Sequence, residues 1–154
     1  MRSNVNIKNF GEYIAKSIKE WNSPDGGGFT CNLYRGKIKI AEVYDDGRGG
    51  GAEFRWLKPE EEKQLRAFVK KLPVVKFEGM DLMDLNVDMG WFASELVSAI
   101  KEKRACRKKT LFILKDDPHV WEIREQYCPV IVEWLRKKHG DKLDEIINER
   151  YATT

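Results

Sequence analysis

Residues 45–56 read DDGRGGGAEFRW, and this stretch decides how the surrounding chain is interpreted. Four glycines within seven residues indicate a tight turn or a close approach of the backbone to a partner, because glycine reaches positive φ angles without steric cost. Ala52, Phe54 and Trp56 then alternate with polar residues, which is the pattern of a half-buried β-strand. We therefore expect a strand connection that leads directly into a strand.

A β-hairpin is predicted on the N-terminal side of the glycine-rich loop. Alternating apolar residues predict a strand at about 29–35, and residues 38–44 predict the returning strand. The apolar phase of the second strand changes between Ile40 and Ala41. Either a bulge at that point or burial of both faces of the strand explains the change.

The spacing of apolar residues predicts five helices. The first, at about 9–21, is supported by Asn9 as N-cap and by Glu12 three residues later. The second begins at Pro59, which is followed by three glutamates, and it ends before Pro73. The remaining three helices are expected at about 89–104, at about 129–139 and from Asp141 onward.

A second hairpin is predicted from the apolar strand 110–114 to a returning strand within 119–124. Hairpins pair their strands antiparallel, which favours an α+β fold over a wound parallel sheet. The sequence thus predicts a single globular domain over residues 1–154. It would contain an antiparallel sheet of hairpins with about five strands, packed with about five helices.

The composition is that of an ordinary globular protein. Hydrophobic residues make up 42% and charged residues 34% of the 154 residues. No apolar run approaches the roughly 18 residues of a membrane span, and the N-terminus lacks an apolar signal region. The three cysteines lie far apart and predict free thiols in a reducing compartment. We therefore expect a cytoplasmic protein without membrane contact, in the bacterial host cytoplasm if phage-encoded.

Three short motifs occur together in the chain. They read GFTCNLY at residues 28–34, DGRGG at 46–50 and TLFILK at 110–115, with Trp121 beyond the last. In these motifs the chain resembles a group of small hypothetical proteins of bacteriophages, prophages and bacteria, and the resemblance covers most of the chain. It implies no particular activity or ligand. It does imply an accessory protein of a mobile element, a kind of protein that often blocks host components or sequesters host signals.

The glycine-rich loop has three interpretations. It is a tight strand connection, or its backbone N–H groups and Arg48 cradle a phosphate or nucleotide, or Asp45 and Asp46 contact a metal ion or a protein. No Gly-Lys-Ser/Thr follows and the next element is a strand, which excludes a P-loop and a dinucleotide fingerprint. A phosphate cradle would use Gly47, Arg48, Gly49, Gly50 and Gly51, with Arg55 from the following strand.

Residues 101–109 contain six cations and one anion. A solvated helix end explains them, because cations are favoured at a helix C-terminus. The alternative is a surface that contacts the phosphates of a nucleotide or nucleic acid, although the run itself lacks aromatic residues for stacking. The candidate binding residues are Lys101, Lys103, Arg104, Arg107, Lys108 and Lys109.

The signals for metal binding and catalysis are weaker. Residues 78–88 are acidic without a cation, but their spacing differs from that of an EF-hand, and a loop with a helix cap explains them. His119 lies in a predicted turn, and no serine or cysteine sits in a nucleophile elbow. The sequence leaves enzyme activity open but favours its absence, and it assigns no catalytic residue, metal ligand or cofactor.

These features favour a non-catalytic small binding protein of phage or mobile-element accessory type. It is expected to sequester a phosphate-bearing ligand, either a nucleotide or nucleic acid, or to block a host factor. One alternative is a protein–protein inhibitor with an exposed aromatic or acidic surface, such as residues 78–88. Another is a metal-dependent hydrolase that uses Asp45, Asp46 and the carboxylates of 81–88. A dimer is compatible with the sequence, which carries no residue-level signal for the oligomeric state.

Overall fold

The computed structural model describes residues 10–48, 51–72, 76–77, 80–81 and 89–151, and it describes the two short pairs by their backbone alone. The chain divides into two compact units. The first ends at Ser98 and the second begins at Ala99, within one continuous helix.

The first unit is built on a four-stranded antiparallel sheet with the strand order β1-β2-β3-β4. Its strands are β1 (Tyr13–Ser23), β2 (Gly26–Arg35), β3 (Ile38–Asp45) and β4 (Glu53–Trp56). After them come helix α1 (Glu60–Lys70), the two-residue strands β5 (Lys76–Phe77) and β6 (Met80–Asp81), and helix α2 (Met89–Ala105), which continues into the second unit.

One face of the four-stranded sheet, the inner face, is buried in the core of this unit. Leu33 and Ala41 lie opposite each other on this face and are fully buried. The rings of Tyr13 from β1, Phe68 from α1 and Phe92 from α2 contact one another, with centroids 5.2–5.7 Å apart. Burial of one large apolar side chain stabilises a fold by about 1.5–3 kcal/mol, so this cluster holds both helices on the inner face.

The predicted helix at 9–21 is wrong, because this part of the chain forms strand β1. Tyr13 and Ala15 are buried while the residues that follow each of them are exposed, which is the alternation of a strand. Between Lys16 and Lys19 the register with β2 shifts by one residue. This bulge changes the phase of the strand, so that apolar residues on either side of it recur at a helix-like spacing.

The predicted hairpin before the glycine-rich loop is confirmed, and so is its bulge. Leu33 pairs with Ala41 whereas Tyr34 pairs with Lys39, which makes Ile40 the additional residue of β3. Ile40 and Ala41 are both fully buried. The bulge therefore explains why adjacent residues of this strand are both apolar.

The second unit contains a three-stranded antiparallel sheet with the order β8-β7-β9. Its strands are β7 (Thr110–Leu114), β8 (Val120–Ile123) and β9 (Leu143–Ile146). Helix α3 (Pro129–His139) and a 3₁₀ turn (Gly140–Lys142) lead into β9, and a second 3₁₀ turn (Ile147–Arg150) follows it. The central strand β7 is buried on both faces, which explains its uninterrupted apolar sequence.

The predicted helix after Asp141 is also wrong. Phe112 pairs with Ile146 and Leu114 with Leu143, so the apolar residues of this segment enter the sheet beside β7. In the described part of the chain the fold is α+β, with seven strands in the two larger antiparallel sheets, the short antiparallel pair β5–β6 and three α-helices. The expected five-stranded sheet and five helices are not observed, because two predicted helices are strands. The single domain over 1–154 stays a prediction.

A buried ion pair joins the four-stranded sheet to α1. The Nε and a terminal nitrogen of Arg35 donate to the two carboxylate oxygens of Glu61 at 2.8 and 2.7 Å, and the Glu61 side chain is 7% exposed. Hydrogen bonds from Arg35 hold the pKa of Glu61 below its ordinary value of 4.5. Because the folded pKa is lowered, the pair stabilises the fold above about pH 4.5, and this contribution is lost as the pH falls through the folded pKa.

We expect Glu61→Gln to lower the free energy of unfolding by about 1–3 kcal/mol at neutral pH, because a charged hydrogen-bond partner is lost. The loss should shrink at an acidic pH below the folded pKa of Glu61, where the carboxyl group of the unchanged protein is itself protonated. Urea unfolding of both proteins at neutral and acidic pH measures the difference in their free energies of unfolding. Glu62→Gln is the matched control, since Glu62 makes only an exposed contact of 3.3 Å with Arg66 on the same helix. An equal loss at both pH values would contradict the ion-pair explanation.

Candidate functional site

The two aspartate side chains of the glycine-rich loop accept hydrogen bonds from the backbone of the loop itself. Gly47 N–H donates to Asp45 Oδ1 and Arg48 N–H donates to Asp46 Oδ1, each at 2.8 Å. The loop is also fixed from outside, because Ser23 Oγ donates to the Gly47 carbonyl oxygen at 2.6 Å. Two backbone donors proposed for a phosphate cradle are therefore occupied by carboxylates.

The glycines permit a close approach between the ends of two hairpins. Gly47 has φ +80°, and a Cβ atom there would lie 2.8 Å from the Gly28 nitrogen. A Cβ atom on Gly28 would overlap the Trp21 indole and lie 2.8 Å from the Asp45 carbonyl oxygen. This packing supports the strand-connection interpretation at the described end of the loop. Residues 49–50, two members of the predicted cradle, lie outside the described residues.

The opposite face of the four-stranded sheet, which we call the outer face, carries polar and aromatic side chains. By register and burial its members are Lys16, Lys19, Trp21, Thr30, Asn32, Tyr34, Lys39, Glu42, Tyr44, Glu53 and Arg55, together with the exposed apolar residue Ile14 opposite Tyr34. A groove of about 450 Å³ runs along it, lined in part by Lys19, Asn32, Tyr44 and Arg55. Of the predicted binding residues, Arg55 therefore belongs to this face, where its side chain is 79% exposed and lies 3.4 Å from Glu42.

Two aromatic rings on the outer face are exposed and held in place. Trp21 is 37% and Tyr44 is 47% exposed, and their ring centroids lie 5.9 Å apart. The Trp21 indole lies against Gly28 and donates its N–H to the Asp46 carbonyl oxygen at 3.3 Å. Sequence reasoning missed this pair because it placed Trp21 in a helix. The Pro24-Asp25-Gly26 turn signal predicts a hairpin instead and would have put Trp21 opposite Gly28.

The cationic segment 101–109, which we call the cationic turn, ends α2 and leads into β7. Asn148 is 4% exposed and fixes this turn: its Nδ2 donates to the carbonyl oxygens of Cys106 and Lys109 at 3.1 and 2.8 Å, and its Oδ1 accepts from Leu111 N–H at 2.8 Å. Lys109 is half-buried and pairs with Glu122 at 3.0 Å. The other five candidate cations are exposed: Lys101, Lys103, Arg104, Arg107 and Lys108.

The two halves of the predicted binding site belong to different units. The glycine-rich loop and Arg55 lie in the first unit, and residues 101–109 lie in the second. The structure thus groups Arg55 with the outer face and groups the six cations with Asn148. Each group is a candidate surface in its own right.

The candidates for catalysis and metal binding are limited. Asp117 Oδ1 lies 2.9 Å from His119 Nδ1, and Asp117 Oδ2 accepts from Trp121 Nε1 at 2.8 Å. Hydrogen bonds from the His119 backbone N–H and from Trp121 lower the pKa of Asp117. Burial raises the pKa of the Cys31 and Cys106 thiols to about 11, which makes both weak nucleophiles at neutral pH.

The metal-dependent hydrolase hypothesis depends on residues 81–88, of which 82–88 lie outside the described residues. The same is true of most of the acidic surface 78–88 and of the helix cap predicted at Asp88. Within the described ranges, no three His, Cys, Asp or Glu side chains form a group able to hold a metal ion. Both alternatives stay hypotheses.

Helix α3 also carries exposed apolar residues. Val130 is 73% and Trp134 is 46% exposed, and they are four residues apart on one side of the helix. Lys138 Nζ lies 4.7 Å from the Trp134 ring centroid. An adjoining groove of about 570 Å³ is lined in part by Val132 and Arg136. This side of α3 is one exposed aromatic surface of the second unit, and Trp121 on β8, 46% exposed, is another.

Comparisons with known proteins give no relative from which a function could be transferred. No family model, no curated protein and no solved structure matches the chain. None of the described helices is long and apolar enough to cross a membrane. The outer face, the cationic turn and the exposed side of α3 are therefore the basis for any function.

Proposed function

We propose that this protein is a non-catalytic nucleic-acid-binding protein and that the cationic turn contacts the phosphate backbone. The observation that supports the proposal is the attachment of the turn to Asn148, which fixes the backbone that carries the exposed cations Arg107 and Lys108. In the accessory-protein setting that the sequence resemblance implies, such a protein would act by sequestering its ligand.

Both the charge of the cationic turn and the order of its backbone favour the binding of phosphates. Each phosphate contact made by Lys or Arg releases counterions, so affinity gained in this way falls steeply as salt rises. Arg104 and Arg107 can donate two parallel hydrogen bonds to one phosphate, which Lys cannot do. A turn that is already ordered loses less conformational entropy on binding than a flexible segment would.

We expect the double variant Arg107→Glu/Lys108→Glu to bind short oligonucleotides at least about tenfold more weakly at low salt. The slope of log affinity against log salt concentration should fall by roughly 1.4–1.8, which corresponds to two lost phosphate contacts. Fluorescence anisotropy across a salt series measures both quantities.

The matched control is Lys63→Glu/Lys70→Glu, which makes the same change of charge at two exposed positions of α1. It should bind almost as tightly as the unchanged protein, apart from a small effect of net charge. If the control weakens binding as much as the turn variant, net charge explains the binding and the proposed contact surface is wrong.

A second candidate function is inhibition of a protein partner through α3. The exposed pair Val130 and Trp134 favours it, because aromatic residues are enriched at the centres of protein interfaces. A stoichiometric protein partner that survives nuclease treatment and is lost in Trp134→Ala would favour this function over nucleic-acid binding.

A further inference from the structure

We propose that the outer face of the four-stranded sheet is a stacking platform for the bases of single-stranded nucleic acid. The inference rests on the proposed function for the class of ligand, but it concerns a different surface in the other unit. It also narrows the ligand to a single strand, which the cationic turn alone does not do.

The aromatic groups of this face are positioned before any ligand arrives. The Trp21 ring packs on the Gly28 backbone and is oriented by its hydrogen bond to the Asp46 carbonyl oxygen, and the residue remains 37% exposed. Tyr44 stands beside it and is 47% exposed. Exposed aromatic rings on a rigid sheet are the groups on which single-strand-binding proteins stack bases, irrespective of sequence.

The charges of the outer face suit a phosphate backbone that runs beside the stacked bases. Four cations (Lys16, Lys19, Lys39 and Arg55) stand against two carboxylates (Glu42 and Glu53), which leaves a net charge of +2. Glu42 is already compensated, because Lys39 and Arg55 contact it at 3.1 and 3.4 Å. Lys19 lies in the same cross-strand row as Tyr44, where it can reach a phosphate next to a base stacked on that ring.

The half-buried polar residues Thr30 and Asn32 lie between the aromatic pair and Tyr34, and they can hydrogen-bond to base edges. A second aromatic position lies at Tyr34, where Lys16 Nζ is 4.6 Å from the ring centroid. From Gly28, beneath Trp21, to Tyr34 the strand advances by roughly 20 Å at about 3.3 Å per residue. That length accommodates a short site of about four nucleotides.

A duplex cannot use this platform in the same way. Its bases are stacked on each other and expose only their edges in the grooves, so the aromatic faces of Trp21 and Tyr44 have no partner there. The outer face therefore predicts a preference for single strands. The contribution of the cationic turn, by contrast, depends on phosphates that both forms carry.

The test uses the full chain with oligothymidylate, oligouridylate and a duplex of equal length, each followed by fluorescence anisotropy. We expect both single strands to bind more tightly than the duplex. Trp21→Ala and Tyr44→Ala should each weaken single-strand binding by about fivefold to 100-fold, and they should leave duplex binding nearly unchanged. The two oligonucleotides distinguish DNA from RNA as the preferred single strand.

Conservative variants separate stacking from folding. Trp21→Phe and Tyr44→Phe keep an aromatic face and should bind single strands within a few-fold of the unchanged protein. Trp134→Ala removes a tryptophan of comparable exposure from α3 and should have no effect on single-strand binding. If the phenylalanine variants bind as weakly as the alanine variants, the rings do not act by stacking and the platform is wrong.

The outcomes distinguish this inference from the proposed function. If the turn variant weakens binding while the aromatic variants and strandedness have no effect, the platform is overturned and the phosphate-binding turn is retained. If only the aromatic variants weaken binding, the platform is supported and the turn is overturned. If none of the three oligonucleotides binds, both proposals are overturned.

Discussion

Asn148→Leu should lower the free energy of unfolding by about 3–5 kcal/mol, one of the two largest effects expected in this chain. The asparagine is 4% exposed, and each of its three hydrogen bonds is made to a backbone group. Leucine has a similar volume but can neither accept from Leu111 N–H nor donate to the carbonyl oxygens of Cys106 and Lys109. Each buried polar group left without a partner costs about 1–3 kcal/mol.

Urea unfolding followed by circular dichroism measures this loss. Thr110→Val is the graded control: Thr110 is fully buried and donates one hydrogen bond, to the Glu125 carbonyl oxygen at 2.9 Å, so its loss should be about 1 kcal/mol. Equal losses in the two variants would show that burial, rather than the number of bonds made by Asn148, sets the effect.

The same substitution connects the stability of the second unit to its proposed function. The Cys106 and Lys109 carbonyl oxygens flank Arg107 and Lys108, so removal of the Asn148 amide frees this part of the cationic turn. Under conditions where Asn148→Leu is still folded, its affinity for oligonucleotides should fall although no cation has been removed. Unchanged affinity would mean that the order of the turn contributes nothing to binding.

The sequence predicted an element correctly where the pattern that defines it lies within the element itself. Helix α1 follows Pro59 and begins with three glutamates, and α3 starts at Pro129 and ends before Gly140, as the sequence predicted. Strand β7 was recognisable because burial on both faces leaves a continuous apolar run. Each of these elements carries a recognisable pattern within its own short stretch of sequence, even where its partners are distant, as for β7.

The sequence failed wherever distant pairing decides the structure. The apolar residues of β9 fit a helical spacing, but their hydrogen-bond partners are in β7, about 30 residues earlier. In β1 a bulge changed the strand phase and produced a helical pattern. Loss of β1 from the predicted sheet also concealed the outer face, since Trp21 becomes part of a surface only when it lies opposite Gly28.

The candidate sites show the same difference between local patterns and distant contacts. Residues 101–109 were visible as a run of charge, whereas the role of Asn148 depends on a contact across 39 or more residues of chain. The glycine-rich loop was interpreted as a tight turn or a close approach of the backbone to a partner. What approaches at its described end is the neighbouring hairpin, and the side chains of Asp45 and Asp46 are hydrogen-bonded to the loop backbone.

Gly47→Ala should lower the free energy of unfolding by about 2–4 kcal/mol, and Gly51→Ala by about 1 kcal/mol. The two glycines have nearly the same backbone angle, with φ +80° and +81°, so the cost of a left-handed alanine is common to both. They differ in surroundings: the new Cβ of Ala at position 47 would lie 2.8 Å from the Gly28 nitrogen, whereas no atom of the described residues outside the immediate chain neighbours lies within 4 Å of a Cβ at position 51. Urea unfolding of both variants therefore isolates the cost of the close approach, and equal losses would refute the steric explanation.

Because Gly28 also supports the Trp21 ring, Gly47→Ala should weaken single-strand binding as well, while Gly51→Ala should leave it unchanged.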